Sequence, residues 1–287
     1  MTNYIDLHTH SNASDGTCTP TEVVRLAAQK GLRAMALTDH DTVSGVEEAM
    51  NTASAFSLPI QVIPGTELSV AYKKQDIHIV GLFVDHRNKS FQDMTQLLIR
   101  RRLERNEEMI RRFNANGIPV TYEELTLGNP NAVITRAHFA RYLVEHQIAK
   151  IPNEAFKKYL DPGCPYFIPR EYIQPEDGIE IIRKAGGVPI LAHPLHYKLP
   201  QKELETLIAR LKDAGLMGIE VKYSNHTVQD EYYASQLASR FDLLPSGGSD
   251  FHGANKPAID IGTGRGTLAV PYEYLENLAA AVDYPLS

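Results

Sequence analysis

The chain has 287 residues, of which 43% are hydrophobic and 22% are charged, and its formal net charge is −6. This composition is ordinary for a globular protein of one large or two modest domains. The acidic balance argues against a long nucleic acid as partner, because no basic surface would meet its phosphates, whereas a small nucleotide stays possible since metal ions or a few arginines can bind it.

The apolar stretches, the N-terminal pattern and the cysteine content indicate where the protein functions and which residues could bind a metal. No apolar stretch approaches the length of a membrane span and the N-terminus has no signal-peptide pattern, so we expect a cytoplasmic protein without a membrane partner. The two cysteines, Cys18 and Cys164, imply no disulfide framework. Because there is no CxxC pair, any metal site must use histidines and carboxylates. The sequence does not indicate an oligomeric state.

The N-terminal segment contains the first candidate site. Residues 4–7 read as a short strand, and His8 and His10 follow two positions apart. Residues two apart on a strand point to the same side, so both imidazoles would face one point, with Asp15 in the polar turn that follows. Imidazole is a common metal ligand. For His-x-His taken alone, a chance pair at a solvated strand end is the alternative.

Helix starts and apolar runs alternate along the next stretch of chain. The capping boxes that open helices are at residues 19–22 and 44–47, and the apolar runs that read as strands are at residues 34–37 and 60–63. Such alternation predicts parallel βαβ units, in which site-building groups lie at the C-terminal strand ends. Asp39, His40 and Glu67 follow the apolar runs at these ends. A hairpin is predicted next, with strands 68–72 and 77–84, and His78 points to the opposite face from its apolar neighbours.

The pattern changes at about residue 90. Residues 90–117 read as one long charged helix with a narrow apolar stripe of Ile99, Leu103, Ile110 and Phe113. Short helical pieces follow without strands between them. We therefore predict a small helical insertion domain at residues 98–175, within a barrel domain formed by residues 1–97 and 176–287.

Strand–helix alternation resumes after the insertion. The predicted strands are residues 188–192, 217–221 and 243–244, with helices at 179–185, 204–211, 227–240 and 271–282. His193 follows the first of these strands, Glu220 lies on the second, and Asp250 and His252 follow the third. About seven strands thus carry His, Asp or Glu near their C-terminal ends, which predicts a barrel with its site at one mouth.

The candidate metal ligands are too many for one ion. They are His8, His10, Asp15, His40, Glu67, His78, His193, Asp250 and His252. Three groups of three or four, with one carboxylate bridging two ions, would use all nine. Multi-metal sites suit phosphoryl chemistry, since one ion activates a water to hydroxide and others bind the phosphate oxygens. The mixture of nitrogen and oxygen ligands favours Zn, Mn or Fe over Mg or Cu.

Five short motifs together resemble those of the PHP (polymerase and histidinol phosphatase) family. They are DLHTHS at residues 6–11, TDHD at 38–41, PGTE at 64–67, AHP at 192–194 and GSDFH at 248–252. The resemblance implies an α/β fold, a distorted seven-stranded (β/α) barrel, and two or three divalent metal ions. By position it implies one ion on His8, His10, Glu67 and Asp250, a second on Asp15, His40 and His252, and a third on Glu67, His78 and His193.

The resemblance also implies an activity. Asp15 replaces a histidine found in some members, and with the insertion it makes the chain similar to the branch of small nucleotide and cyclic-phosphate phosphoesterases. We expect a hydrolase that uses a metal-activated hydroxide on a nucleoside 3′,5′-bisphosphate or a short oligonucleotide 5′ end. The catalytic residues would be Asp15, His193 and His252. The alternatives are a cyclic phosphodiesterase, a histidinol-phosphate-type phosphatase, and a metal-stabilised regulatory module without turnover.

Several polar residues are candidates for binding a phosphorylated substrate. They are Arg136 and His138 at a helix start in the insertion, Lys222 and His226 near a strand end, and His196 three residues after His193. A solvated surface role is the alternative for Arg136. Asp39 and Asp6 could orient His8 or His10 or simply stabilise turns, and Glu220 could form a plain salt bridge.

Overall fold

The computed structural model describes residues 4–73, 75–126, 129–169 and 171–286. Its strands are β1 (Tyr4–Thr9), β2 (Ala34–Leu37), β3 (Gln61–Tyr72), β4 (Gln75–Leu82), β5 (Val188–Leu191), β6 (Gly218–Tyr223), β7 (Leu244–Gly248) and β8 (Val270–Pro271). Its α-helices are α1 (Pro20–Gln29), α2 (Val46–Ala55), α3 (Lys89–Ala115), α4 (Tyr122–Thr126), α5 (Arg136–Glu145), α6 (Pro152–Ala155), α7 (Pro175–Lys184), α8 (Gln201–Asp213), α9 (Val228–Arg240) and α10 (Tyr272–Ala280).

The strands form one sheet in the order β7-β6-β5-β4-β3-β2-β1-β8. Strands β1 to β3 are mutually parallel, as are β5 to β7, and β4 runs antiparallel to both of its neighbours. The sheet curls until its ends meet, because the amide of Asp250 donates to the carbonyl of His8 at 2.8 Å and the amide of His10 donates to Phe251 at 2.9 Å. The result is an α/β fold around a nearly closed barrel. Among the described residues the sheet has eight strands, one more than the sequence predicted, and β8 is a two-residue strand antiparallel to β1.

Strand β1 carries apolar side chains and polar side chains with different partners. Ile5 and Leu7 pack in one hydrophobic cluster with Val80 and Ile190. The pairing of β1 with β2 shifts register between Asp6 and Thr9, and His8 lies beside the carboxylates of Glu67 and Glu220. All of these side chains are buried. Asp6 accepts hydrogen bonds from the amides of residues 249 and 262 at 2.8 and 2.7 Å. It therefore stabilises neighbouring loops and makes no bond to an imidazole in the described part of the chain.

Of the two predicted helix capping boxes, one is present and one is absent. Helix α1 has the predicted capping box, in which Thr19 accepts from the amide of Glu22 and the Glu22 carboxylate accepts from the amide of Thr19. The predicted capping box of α2 is wrong. Gly45 occupies the N-cap position and has no side chain that could accept a capping hydrogen bond. The hydroxyl of Ser44, the predicted capping residue, accepts from the Thr42 hydroxyl instead.

Glu67 lies in the middle of a long strand, whereas the sequence placed it after a strand end. Strand β3 pairs in parallel with β2 over residues 61–64 and then antiparallel with β4 over residues 65–72. The change of partner keeps the backbone extended past Glu67, because β4 supplies the hydrogen bonds that β2 no longer reaches. Glu67 therefore projects from a rigid strand at the barrel mouth.

Helix α3 has a buried face that differs from the predicted stripe. Of the four predicted apolar residues, only Phe113 is buried, and Ile99, Leu103 and Ile110 are half-buried. The buried residues are Phe91, Thr95, Leu98, Arg102, Arg105, Asn106, Met109 and Phe113. Their spacing is mostly three and four, which is helical, but four of them are polar, because this face turns toward the barrel mouth.

The two ends of α3 belong to different hydrophobic clusters. Phe91 and Leu98 pack with residues of the barrel, whereas Met109 and Phe113 pack in a separate cluster with Phe139 and other residues of α4 to α6.

Within the described residues, no helix combines the length and the apolar character that a membrane span requires.

Candidate metal centre

The nine predicted metal ligands lie together at one mouth of the barrel. His8 is on β1, His10 lies just beyond the end of β1, and His78 is on β4. His193 lies two residues beyond the end of β5. His40, Asp250 and His252 lie in loops after β2 and β7, and Asp15 comes from the loop after β1. The parallel strands place their C-terminal ends at this rim, and the antiparallel strand β4 places His78 beside Glu67 of β3.

Glu67 is at the centre of the group. Its Oε2 atom lies 3.3 Å from Nε2 of His8, 3.2 Å from Nε2 of His10 and 3.2 Å from Nδ1 of His40. Its Oε1 atom lies 2.8 Å from Nδ1 of His78 and 3.0 Å from Nε2 of His193. One carboxylate thus faces five imidazoles, which is the arrangement that a carboxylate shared between ions requires.

A second carboxylate, Asp15, faces three more imidazole nitrogens. Its Oδ1 atom lies 3.2 Å from His252 and 3.8 Å from His10, and its Oδ2 atom lies 3.7 Å from His40. Three combinations among the described residues have ligand atoms close enough for one ion: His10, Asp15, His40 and His252; His8, His10 and Glu67; and His40, Glu67 and His78. These sets overlap the predicted ones but divide His10 and His40 differently.

Asp250 is the third carboxylate of the cluster. Its Oδ1 atom lies 3.6 Å from His10 and 3.3 Å from His252. Its Oδ2 atom accepts from the Tyr223 hydroxyl at 2.8 Å and from the Lys256 ammonium at 2.6 Å. These two donors fix the rotamer of Asp250, so that Oδ1 points toward the imidazoles.

Glu67 and the neighbouring imidazoles shift each other's pKa values. Burial would raise the pKa of Glu67, but the neighbouring histidines, His78 first among them, hold it well below its usual range. Burial would likewise lower the pKa of His78, but the Glu67 carboxylate raises it to about 10. Burial lowers the pKa of His40 to about 4. Glu67 is therefore ionised at neutral pH, and His78 carries a proton that it would release on binding a metal ion.

Buried imidazole nitrogens support a metal at this site. The Nδ1 atoms of His10 and His193 are buried and make no hydrogen bond within the described ranges. A buried polar atom without a partner is rare in native proteins, and a metal or bound ligand is one explanation. Ionised carboxylates together with neutral imidazoles form a donor set that fits Zn, Mn or Fe.

A surrounding set of carboxylates holds the ligands in place. Glu220 accepts from Nδ1 of His8 at 2.8 Å and from the amide of His193 at 2.6 Å, which orients two candidate ligands at once. Asp39 accepts from Ser11 and Ser14 instead of from an imidazole. Burial raises its pKa to about 6. Asp39 thus shapes the turn that leads to Asp15.

Two cavities adjoin the cluster. The first has a volume of about 680 Å³ and runs from Asp15 along α5, with Arg102, Arg105 and Arg136 in its walls. The second has a volume of about 430 Å³ and lies on the side of β5 to β7. Both are of a size that accepts a small ligand.

The predicted substrate-binding residues fall into two groups. Arg136 and His196 line the cavities. His138, Lys222 and His226 line neither of them. His138 is buried and its Nδ1 caps α5 by accepting from the amide of Thr135; Lys222 pairs with Glu231 at 2.9 Å; and His226 binds the carbonyl of Val221.

Several residues of the site were missed at the level of sequence. Arg102, Arg105, Thr135, Tyr223 and Lys256 all contact the ligand loops or line a cavity. For the two arginines a signal was available, since both continue the helical spacing of Phe91, Thr95 and Leu98 on α3. For the other three, no periodicity or motif marks the residue.

The fold and the cluster define an α/β-barrel protein with a buried group of histidines and carboxylates that could hold metal ions. The chain belongs to the PHP domain family, whose model matches residues 6–172. The predicted membership of this family is therefore confirmed, and three of the five motifs lie within the matched residues.

Named relatives cover most of this chain. It is 36% identical to a 3′,5′-nucleoside bisphosphate phosphatase of Chromobacterium violaceum, over 90% of each chain. It is 39% identical to a 5′-3′ exoribonuclease of Haemophilus influenzae, over 88% of this chain and 91% of that one. It is 31% identical to a phosphoribosyl 1,2-cyclic phosphate 1,2-diphosphodiesterase of Eggerthella lenta, over 86% and 94%.

A solved structure has the same fold. It is described as an amidohydrolase from Chromobacterium violaceum with bound sulfate and no metal, and it is 36% identical with a TM-score of 0.84 over 90% of each chain. The agreement over nearly the whole length includes both the barrel and the helical region.

Proposed function

We propose that this protein is a metal-dependent phosphoesterase that hydrolyses phosphate esters of small nucleotides in the cytoplasm. The observation that carries the proposal is the position of Glu67 among five imidazoles, next to a cavity lined by arginines. A cluster of cations beside guanidinium groups suits an anionic phosphate substrate. The relatives named as phosphatase, exoribonuclease and diphosphodiesterase support this class of reaction.

The nine clustered residues would hold two to three divalent ions of Mn, Zn or Fe. Glu67 would be shared between ions, because both of its oxygens face imidazoles on different sides. When bound, such ions supply a water nucleophile at neutral pH and neutralise the phosphate oxygens. Asp15, His193 and His252 are the ligands we expect to lie next to the reacting phosphate.

The chain's own residues then bind and orient the substrate. Arg136 lies at the first turn of α5 and lines the first cavity, where its guanidinium can bind a phosphate together with the helix N-terminus. Arg105 lines the same cavity from α3. His196 lines both cavities, and burial lowers its pKa to about 4, so it is a neutral hydrogen-bonding group at neutral pH.

The substrate we favour is a nucleoside 3′,5′-bisphosphate or the 5′ end of a short oligonucleotide. Each matches the activity for which a relative is named, and each of these relatives covers about nine-tenths of this chain. A cyclic phosphodiesterase activity is the second candidate, because the Eggerthella relative is named for a cyclic phosphate.

We also propose that residues 98–175 form a helical unit that completes the substrate cavity. The separate hydrophobic cluster of Met109, Phe113 and Phe139 supports this unit. Its first boundary would lie within α3, since one helix spans the barrel and the helical cluster.

The test is phosphate and product release from a panel of esters with added Mn, Zn or Fe. The panel contains a 3′,5′-bisphosphate, a short 5′-phosphorylated oligonucleotide, a cyclic phosphate and histidinol phosphate. We expect metal-dependent hydrolysis that a chelator abolishes, with the bisphosphate or the oligonucleotide as the preferred substrate. Absence of hydrolysis across the panel with all three metals would contradict the proposal.

A further inference from the structure

The carboxylate of Asp76 lies between a candidate metal ligand and a candidate substrate-binding arginine. Its Oδ1 atom is 3.6 Å from Nε2 of His78, and its Oδ2 atom is 3.7 Å from a terminal guanidinium nitrogen of Arg136. All three residues line the first cavity. Asp76 is not one of the nine clustered residues, so its part in the site comes from these two neighbours.

The imidazole of His78 has a carboxylate near each of its nitrogens. Nδ1 lies 2.8 Å from Oε1 of Glu67, and Nε2 faces Asp76. A metal-binding imidazole usually donates the proton of its other nitrogen to a carboxylate or a carbonyl, which fixes the tautomer and the orientation of the ring. With Nε2 held toward Asp76, Nδ1 points to Glu67 and to any ion that these two residues share.

His8 on β1 has the same arrangement. Its Nδ1 atom donates to Glu220 at 2.8 Å, and its Nε2 atom lies 3.3 Å from Oε2 of Glu67. Two of the imidazoles that face Glu67 therefore have a further carboxylate at their other nitrogen. Asp76 has the same relation to His78 that Glu220 has to His8.

Contacts of its own hold the Asp76 carboxylate in place. Asp76 is on β4, where it pairs with Ala71 of β3. Its side chain projects to the same side as that of His78, because residues two apart on a strand do so. The Tyr172 hydroxyl donates to Oδ2 of Asp76 at 3.0 Å. The carboxylate is therefore positioned from the barrel and does not depend on Arg136 for its orientation.

Arg136 approaches Asp76 from the first turn of α5. A guanidinium has five N–H donors, so it can pair with Asp76 through one nitrogen and bind a phosphate through others. A long side chain that is already held loses less conformational freedom when a ligand binds. The pair with Asp76 thus prepares Arg136 for a phosphate in the first cavity.

We propose that Asp76 is a positioning residue that orients His78 for a metal ion and holds Arg136 in place for the substrate phosphate. This assignment rests on the proposed function. One carboxylate then links metal binding to substrate binding. Its Oδ1 atom orients the imidazole, and its Oδ2 atom pairs with Tyr172 and Arg136.

Metal retention tests the contact with His78. Asp76→Ala removes both contacts, whereas Asp76→Asn keeps an oxygen that can accept from Nε2 of His78 and loses the negative charge that attracts Arg136. Protein loaded with Mn²⁺ is dialysed against a graded series of chelator concentrations, and elemental analysis measures the retained Mn. We expect Asp76→Ala to hold one equivalent roughly tenfold to a hundredfold more weakly than wild type, the usual effect of losing such a carboxylate. Asp76→Asn should hold it more tightly than Asp76→Ala.

Binding of inorganic phosphate to the Mn-saturated protein tests the contact with Arg136. We expect Asp76→Asn to weaken phosphate binding by roughly twofold to tenfold, the effect of leaving one long side chain to be ordered on binding. In the Arg136→Ala background, Asp76→Asn should have no further effect, because the two residues act as a pair.

Asp93→Ala is the matched control. It removes an exposed aspartate that pairs with Lys89 on α3, so it should leave Mn retention and phosphate binding at wild-type values. Circular dichroism of each loaded variant measures folding. Asp76→Leu, which keeps the volume of the side chain, replaces Asp76→Ala in the Mn measurement if the alanine variant does not fold.

The outcomes separate this inference from the proposed function. Wild-type Mn retention in Asp76→Ala would overturn the assignment to His78. Phosphate binding by Asp76→Asn that equals or exceeds wild type, or an equal loss in the Arg136→Ala background, would overturn the assignment to Arg136. Absence of hydrolysis across the ester panel would contradict the proposed function alone, since both readouts here measure binding.

Discussion

At the residue scale, Glu67 determines the geometry of the candidate metal centre. It is buried on a long strand and faces imidazoles from two strands and three loops. Asp15 and Asp250 both face His252 and His10, whereas Glu67 also faces His78 and His193. Removing the negative charge of Glu67 would therefore affect all five neighbouring imidazoles and any metal ions that they bind.

We predict that Glu67→Gln reduces turnover strongly and lowers the metal content. The amide keeps the size and one acceptor but loses the charge that offsets two dications, so the ion near His78 and His193 should be lost first. Elemental analysis and phosphate release are measured beside wild type, with circular dichroism as the folding control. Glu47→Gln, an exposed change on α2, is the matched control. Near-normal activity at full metal occupancy would show that Glu67 is not shared between ions.

Arg136 tests substrate binding separately from metal binding. Its guanidinium lies 3.7 Å from Asp76 and its side chain is about one-quarter exposed. We predict that Arg136→Ala lowers kcat/KM by about tenfold to a hundredfold, since a charge-assisted contact contributes about 1.5–3 kcal/mol. Metal content should be unchanged. Unaltered kinetics would instead mean that Arg136 only pairs with Asp76.

At the scale of elements, α3 and the start of α5 anchor the helical region to the ligand loops. Thr135, the N-cap of α5, donates its hydroxyl to Oδ2 of Asp15 at 2.8 Å. Arg102 of α3 donates to Asp41 at 2.7 Å and to Ser69 at 2.9 Å. Asp41 directly follows His40, and its amide donates to the carbonyl of Glu67. The helices thus hold the loop segments that carry candidate ligands.

We predict that Arg102→Met destabilises the protein by about 3–5 kcal/mol, because it leaves Asp41 as a buried charge without its ion-pair partner. The Arg102 and Asp41 side chains are only 7% and 0% exposed, so solvent screens the pair little. Thermal and denaturant unfolding measure the change. The double variant Arg102→Met with Asp41→Asn should recover part of the loss. A double variant that is no more stable than the single one would show that packing, and not the charge, is responsible.

At the scale of the whole molecule, closure of the barrel brings the two ends of the chain's motif series together. The last motif lies beside the first because β7 and the residues after it run along β1. Gly248 permits this approach, since a Cβ atom there would overlap the backbone nitrogen and the Cβ of His8. A glycine is required because of the close packing of two backbones.

We predict that Gly248→Ala lowers both the midpoint of thermal unfolding and the metal content, because His8 must shift away from the cluster. Ser239→Ala, an exposed change on α9, is the control for the procedure and should match wild type. Metal titration of the folded variant separates the two effects. Wild-type stability together with wild-type metal content would show that β1 and β7 can separate without cost.

The sequence by itself determined the residues that come together and the family. His8 and His10 were expected to share a face because residues two apart on an extended chain point the same way, and His40, His193 and Asp250 follow apolar runs whose ends meet at one rim. The capping box of α1 was predictable for the same reason, since it depends on bonds between residues three apart. These features follow from short-range spacing, which the sequence displays directly.

The tertiary structure alone decided which contacts each residue makes. The continuation of β3 past Glu67 depends on pairing with β4, and the buried polar face of α3 depends on the barrel mouth beneath it. His138 became a helix cap and Glu220 an orienting acceptor, although their positions in the sequence resemble those of other candidates. The physical reason is that burial and partners come from residues far apart in the chain, and no local pattern records them.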